Sequence, residues 1–168
     1  MVEPSGVSYL RTTREAAPVL YPAQEDFEIG GSKVLRSSDS DELTLVAAGI
    51  TLHEALAAAD QLAIEGVAAR VVDLYSVKPI DSQTLLDAAA ATGAIVTVED
   101  HHPEGGIGDA VLEVFADSAA RPRIITLAVR VMPTREHRPS CSPRPGIDRV
   151  QIAETARTFV QQGARPST

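Results

Sequence analysis

Tryptophan is absent from this 168-residue chain, and three tyrosines and three phenylalanines are its only large aromatics. Cysteine occurs once, as Cys141, so no internal disulfide can form. A single thiol fits a reducing compartment, and the expected location is cytoplasmic. Basic residues are outnumbered: 15 Lys and Arg face 23 Asp and Glu, a net charge of −8. That balance argues against a general binder of nucleic acid or of anionic membranes. No apolar run reaches the roughly 20 residues of a membrane span. The opening Met1–Gly6 lacks the basic and apolar regions of a signal peptide. What remains is an alanine- and valine-rich composition, ordinary for an α/β protein and long enough for one domain with its own core.

The pattern along the chain supports that class. Val7–Arg11 reads as a strand, followed by a stretch from Pro18 to Gly31 punctuated by prolines and acids, which reads as a linker. From Lys33 onward the pattern is regular. Leu43–Ala48, Ala69–Tyr75, Ile95–Val98 and Arg123–Val129 are β-branched or apolar runs of strand length. Between them lie helical patterns. Leu52, Ala55, Leu56, Ala59, Leu62 and Ala63 form a stripe that ends at Gly66. Thr51 and Glu54 have the spacing of a capping box. Asp81 is placed to cap a second helix through Ala91, ended by Gly93; a third runs from Ile107 or Asp109 to about Ala119, and a last one from Ile147 to Gln162. The alternation predicts a Rossmann-like three-layer α/β domain with a mainly parallel sheet.

The stretch Ile95–Val111 concentrates the chemistry. A strand runs into Glu99, Asp100, His101 and His102, then turns on Gly105, Gly106 and Gly108 into a helix. Open α/β sheets place ligands at the carboxyl ends of strands, so these residues are either a catalytic or metal group, or a polar loop packed against a neighbouring domain or subunit. Neighbours on an extended chain point opposite ways, so Glu99 and Asp100 cannot both address one metal without a bend. No second cluster with ligand spacing accompanies them. The glycine run lacks the spacing of a dinucleotide fingerprint. His53, Asp73 and Lys78 are further candidates, with boundary, loop or interface positions as their plain reading.

Several motifs, taken in order, resemble the carboxyl-terminal domain of transketolase. They are A-G-I-T-L-H-E-A-L-A-A-A at 48–59, V-V-D-L-Y-S-V-K-P-I-D at 71–81, V-E-D-H-H-P-E-G-G-I-G-D-A-V at 98–111 and G-I-D at 146–148. R-T-T-R at 11–14 and E-D-F-E-I-G at 25–30 extend the likeness over nearly the whole chain. The resemblance implies three segments: 1–16 as the terminal strand of a pyrimidine-binding domain, 17–36 as a linker, and 37–168 as the C-terminal α/β domain.

A complete enzyme of this family transfers two-carbon ketol units between sugar phosphates. It holds thiamine diphosphate and a divalent ion, Mg²⁺ or Ca²⁺, between two upstream domains across a dimer interface. No G-D-G of the diphosphate motif occurs in this chain, and the family's catalytic carboxylate lies upstream. The resemblance therefore implies no catalytic, cofactor-binding or metal residue here, and no cofactor bound by this chain alone. It implies a structural, dimer-supporting segment, inactive by itself, whose partner is a second copy or the missing N-terminal part. Arg14 matches the second arginine of the family's I-R-T-S-R pattern and inherits a contact to the substrate phosphate, a role that a guanidinium fork suits. Two rivals stand beside this reading: a domain of a beta-type 2-oxo acid dehydrogenase subunit, and a stand-alone anion- or nucleotide-binding module at Gly105–Gly108.

The sequence departs from the family between Val129 and Gly146. There it reads M-P-T-R-E-H-R-P-S-C-S-P-R-P over 132–145, where the family has a short loop and then P-A-E-L-L opening a helix. The prolines at 133, 139, 143 and 145 exclude a stable helix, and Arg135, Arg138 and Arg144 call for water or anionic partners. Our hypothesis is a frame-shifted segment between two compensating small insertions or deletions, because the length between the flanking matches is conserved. Codons that cannot spell P-A-E-L-L in the shifted frame refute it. Cys141 is expected to be exposed there, with no base to make it a nucleophile.

Overall fold

The computed structural model describes Tyr9, residues 16–130 and residues 146–163. Its elements are β1 (Lys33–Arg36), β2 (Leu43–Ala47), α1 (Ile50–Ile64), β3 (Ala69–Asp73), α2 (Ser82–Thr92), β4 (Ala94–Val98), α3 (Ile107–Ala116), β5 (Arg123–Leu127) and α4 (Arg149–Gly163). One sheet has the strand order β1-β3-β2-β4-β5. β2 pairs in parallel with β3 and β4, and β4 pairs in parallel with β5. β1 runs antiparallel along β3, with Lys33 opposite Asp73 and an irregularity between Val34 and Arg36. The three-layer, mainly parallel α/β architecture expected from the sequence is the one found.

Both faces of the sheet are covered, which is why its central strands carry almost no polar residues. All five residues of β2 and all five of β4 are buried. Alternate side chains point to opposite layers. Leu45, Val71, Val96 and Val98 pack with Leu52, Ala55 and Ala59 of α1 and with Ile152 and Ala156 of α4. Val46, Val72 and Ile95 pack with Leu85 of α2 and with Val111 and Phe115 of α3. Each fully buried Leu, Ile or Val contributes about 1.5–3 kcal/mol of transfer free energy, so the two central strands outweigh any single loop contact. The exceptions, Thr44 and Thr97, find hydroxyl partners in Thr92 at 3.0 Å and Thr126 at 3.1 Å.

The helix ends follow local chemistry. Asp81 caps α2 by accepting from Thr84 N–H at 3.1 Å, and Gly93 closes that helix at φ 63°, a left-handed conformation glycine adopts without penalty. The Arg123 guanidinium lies 4.2 Å from the Phe159 ring centre and donates to Phe159 O at 2.8 Å, pinning the end of α4 to β5.

Two details depart from the sequence reading. Strand β1 falls inside the stretch 17–36 read as a linker; its four residues, K-V-L-R, give too little periodicity to announce a strand. The Thr51–Glu54 capping box does not form. The N-cap of α1 is Gly49, with no side-chain cap, so Thr51 is already inside the helix. The expected strand Val7–Arg11, Arg14, the segment Met132–Pro145 and Cys141 lie outside the described residues, apart from Tyr9.

Candidate functional site at the carboxyl edge of the sheet

The strand order reverses between β2 and β4: the chain leaves β2 for β3 on one side, then returns to β4 on the other. In an open parallel sheet this switch point opens a crevice where ligands bind. Here the crevice is closed by the protein's own groups. The Thr51 hydroxyl lies 2.9 Å from both Ala48 O and Val98 O, bridging the ends of β2 and β4. Glu54, freed from any capping box, accepts from the backbone N–H of Arg149 at 2.8 Å and so serves the start of α4.

Glu99 fills the next position. It leaves the end of β4 only 2% exposed. Its carboxylate accepts from Ile107 N–H at 2.6 Å and from Gly108 N–H at 3.3 Å, at the amino end of α3. A negative group is stabilised there by the helix dipole and the unpaired N–H donors. The glycine spacing follows from this. A Cβ on Gly106 would fall 2.6 Å from Glu99 Cδ, and one on Gly108 would fall 2.6 Å from Thr126 Oγ1. Only hydrogen fits at either place. Burial pushes the Glu99 carboxyl up, against the lowering effect of the Ile107 and Gly108 N–H groups.

The four consecutive ionisable residues are thus divided. Glu99 turns inward, while Asp100, His101 and His102 are exposed. The His101 carbonyl accepts from Val129 N–H at 2.9 Å, so its backbone prolongs the pairing of β4 with β5. Among the described residues no group of three or more His, Cys, Asp and Glu could hold a metal ion. The seat an incoming phosphate would use at α3 already holds a carboxylate. The described residues therefore do not fit thiamine diphosphate with its divalent ion, and the filled corner runs against the nucleotide-module reading.

Asp73 lies at the end of β3, 4% exposed. Its Oδ2 accepts from the Tyr21 hydroxyl at 2.6 Å, while Oδ1 has no hydrogen-bond partner among the described residues. Burial pushes the Asp73 carboxyl up; the Tyr21 bond and the charges of Lys33 and His53 pull the other way. Tyr21 is itself pushed above the usual tyrosine range by burial and by its bond to Asp73. This pair belongs to a strap formed by residues 21–33. Phe27 stacks edge-on between Tyr21 and Tyr75, with centroids 5.0 and 4.9 Å away. Lys33 pairs with Glu25 and lies 5.0 Å from the Phe27 ring centre. Gly30 N–H donates to Ser76 Oγ at 2.9 Å, and the Ser32 hydroxyl donates to Asp81 at 2.8 Å.

The sequence candidates are therefore scattered in role. Asp73 anchors the strap, His53 is half-buried near it, and Lys78 is exposed in the loop after β3. Sequence reasoning missed Tyr21, Thr51 and Glu54 as bridging groups. Tyr21 and Asp73 are 52 positions apart, a separation that no local pattern announces. For Glu99 a signal existed: an acid eight and nine residues ahead of the two N–H groups it accepts from, with glycines wherever its carboxylate presses. A cavity of ≈ 360 Å³ lies away from this edge, between β5 and α4, lined by Ile125, Glu154, Thr158 and Phe159 among others.

The fold and its self-filled edge define a doubly wound α/β domain whose usual binding crevice is sealed. Residues 32–141 match the family model described as "Transketolase, C-terminal domain". The chain belongs to that family. The transketolase-like protein 1 of Bos taurus is 51% identical over 138 residues, 80% of this chain and 22% of that protein. The transketolase of Rattus norvegicus is 40% identical over 159 residues, 94% of this chain and 25% of the rat protein. The chain thus spans a quarter or less of these relatives. Among solved structures, a split-gene transketolase in the form of an inactive beta4 tetramer superposes with a TM-score of 0.75 at 33% identity, over 86% of this chain and 46% of that one. Among the described residues no helix is long and apolar enough to cross a membrane.

Proposed function

We propose that this chain is the C-terminal segment of a transketolase, a cytoplasmic, structural and dimer-supporting part of an enzyme that moves two-carbon ketol units between sugar phosphates. The observation that carries the reading is the sealed carboxyl edge: Glu54, Asp81 and Glu99 each accept backbone N–H groups at a helix start, leaving those starts closed to a diphosphate. Upstream domains, on the same polypeptide or on another chain, supply the groups that hold thiamine diphosphate and its Mg²⁺ or Ca²⁺. When bound there, the cofactor supplies the stabilised carbanion that ketol transfer requires. Arg14 grips the substrate phosphate once those domains are present.

The test is a coupled assay of transfer from xylulose 5-phosphate to ribose 5-phosphate, with thiamine diphosphate and Mg²⁺ present. The purified chain alone should be silent, and calorimetric titration should show no saturable cofactor binding. Turnover by the chain alone would overturn the reading.

A further inference from the structure

The cavity of ≈ 360 Å³ between β5 and α4 plays no part in the function proposed above. Small-molecule sites span roughly 300–1,000 Å³, so its size lies at the lower end of that range. β5 is a border strand, which puts the cavity at the rim of the fold. Half-buried Ile125 and buried Phe159 form its apolar part. The polar part comes from α4 alone. Gln151, Thr155, Thr158 and Gln162 follow one another at steps of four, three and four, which places them on one face of the helix. From Gln151 to Gln162 that stripe runs about 16 Å at a helical rise of about 1.5 Å per residue.

The helix does not need this stripe for its own stability. Threonine is stiff at χ1 and a weak helix former, yet two threonines stand here. A residue choice that opposes local preference, with no packing gain to offset it, marks a functional position. Among the described residues, the side chains of Gln151, Glu154, Thr155 and Gln162 have no hydrogen-bond partner. The Thr158 hydroxyl donates to Glu154 O at 2.9 Å, which leaves its oxygen as an acceptor.

The donor and acceptor set selects the guest. The two amides and Thr155 both donate and accept, and Glu154 adds a carboxylate that only accepts. Among the described residues no Lys, Arg or His lines the cavity. Arg123, on the same strand as Ile125, is held over the Phe159 ring and on the Phe159 carbonyl, and Arg157 is paired with Glu65. A phosphate or carboxylate would meet the Glu154 charge with no cation to offset it. A wholly apolar guest would strip water from these polar groups and return no hydrogen bond. We propose that the α4–β5 cavity is a binding site for an uncharged polyhydroxylated molecule, a short unphosphorylated saccharide. Its hydroxyls donate to Glu154 and exchange hydrogen bonds with Gln151, Thr155 and Gln162, while the C–H face of a ring lies on Ile125. The length of the stripe suits more than one sugar ring in a row.

The test is an amide-resolved NMR titration of the full chain with maltotriose, cellotriose and chitotriose, and separately with glucose 6-phosphate. Glu154→Ala and Thr155→Val are the variants. Gln161→Ala is the control, because Gln161 is exposed on α4 and does not line the cavity. Unchanged melting temperatures confirm that all three variants fold. The expected result is a saturable shift with at least one of the trisaccharides, confined to Ile125 and the Gln151–Gln162 face. Binding should be at least tenfold weaker in Glu154→Ala and Thr155→Val and unchanged in Gln161→Ala. Glucose 6-phosphate should give no saturable shift there. Absence of a saturable shift with every trisaccharide would overturn the site, as would equal binding by parent and variants. Glucose 6-phosphate binding at this face as tightly as the trisaccharides would overturn the uncharged class of guest. None of these outcomes bears on the ketol-transfer assay, so the site and the proposed function stand or fall separately.

Discussion

Replacing Gly106 by alanine tests the reading of the α3 corner most directly. The backbone at Gly106, φ −99° and ψ −160°, is one that alanine adopts freely, so the cost arises from space alone. The new methyl would sit 2.6 Å from Glu99 Cδ and force the carboxylate out. Two hydrogen bonds to a charged acceptor, at 2.6 and 3.3 Å, are then lost. Such bonds contribute about 1.5–3 kcal/mol each, and the longer one belongs at the low end, so the loss is about 3–4 kcal/mol. Alanine returns about 0.4–1 kcal/mol by restricting the unfolded chain. Release of the carboxylate from burial returns part of the loss as well, so the net expectation is destabilisation by up to about 3 kcal/mol in urea unfolding followed by circular dichroism at pH 7. The double variant Gly106→Ala/Glu99→Ala has no carboxylate to displace. Its destabilisation should fall short of the sum of the singles by about 2 kcal/mol or more, the coupling that neighbours in direct conflict show. Additive effects, or a stable Gly106→Ala, would refute the claim that Glu99 occupies this corner.

Glu99→Gln should flatten one part of the stability–pH curve. The folded carboxyl is raised above its unfolded value of 4.5, so its favourable contribution is complete below that value and is lost as pH rises through the folded pKa; the advantage of the parent over the variant in urea midpoint should therefore shrink from pH 4.5 upward, and a growing advantage would contradict the burial argument. Asp81→Ala removes the cap of α2 together with the Ser32 bond and should cost about 1–2 kcal/mol by thermal unfolding. For Asp81 burial is the largest single influence and raises the carboxyl, but the Thr84 and Ser32 bonds together outweigh it and hold it below its usual 3.8; its contribution is thus present above pH 3.8 and lost on acidification through the lower folded value. Tyr21→Phe leaves the buried Asp73 carboxylate without its hydroxyl donor and should cost about 1–3 kcal/mol. It should also expose the strap to limited proteolysis near Gln24 while the helices stay intact, and an unchanged cleavage rate would show that the strap is held by other contacts.

Most of the layered architecture was legible because it rests on short-range rules. Strand runs such as A-I-V-T-V, the apolar stripe of α1, and Asp81 with Gly93 around α2 carry their own signals of period, cap and stop. β1 was not legible, because its four residues become a strand only by lying along β3. The capping box failed for a related reason: Thr51 and Glu54 have the right spacing, but the start of the helix is set by Gly49, and both side chains serve distant backbone. At the site, the division of Glu99 from Asp100 followed from strand alternation. The carboxylate's destination did not, since adjacent acids look alike until a helix start is folded over one of them. Asp73 and Tyr21 carried no mutual signal at all, being joined across 52 positions. Arg14 lies outside the described residues, and its phosphate grip stays a proposal.

The antiparallel border strand has a consequence for how copies of this chain can meet. Without β1 the sheet would end on β3 with an open row of backbone donors and acceptors, an invitation to runaway strand addition. β1 covers that row with a strip only four residues long, bearing Lys33 and Arg36 at its two ends and broken in register between Val34 and Arg36. A ribbon so brief, charged and kinked is a poor template for another chain. At this border association is therefore directed to side-chain surfaces, which can saturate and stop, rather than to extension of the sheet, which cannot; the opposite border of the sheet is β5.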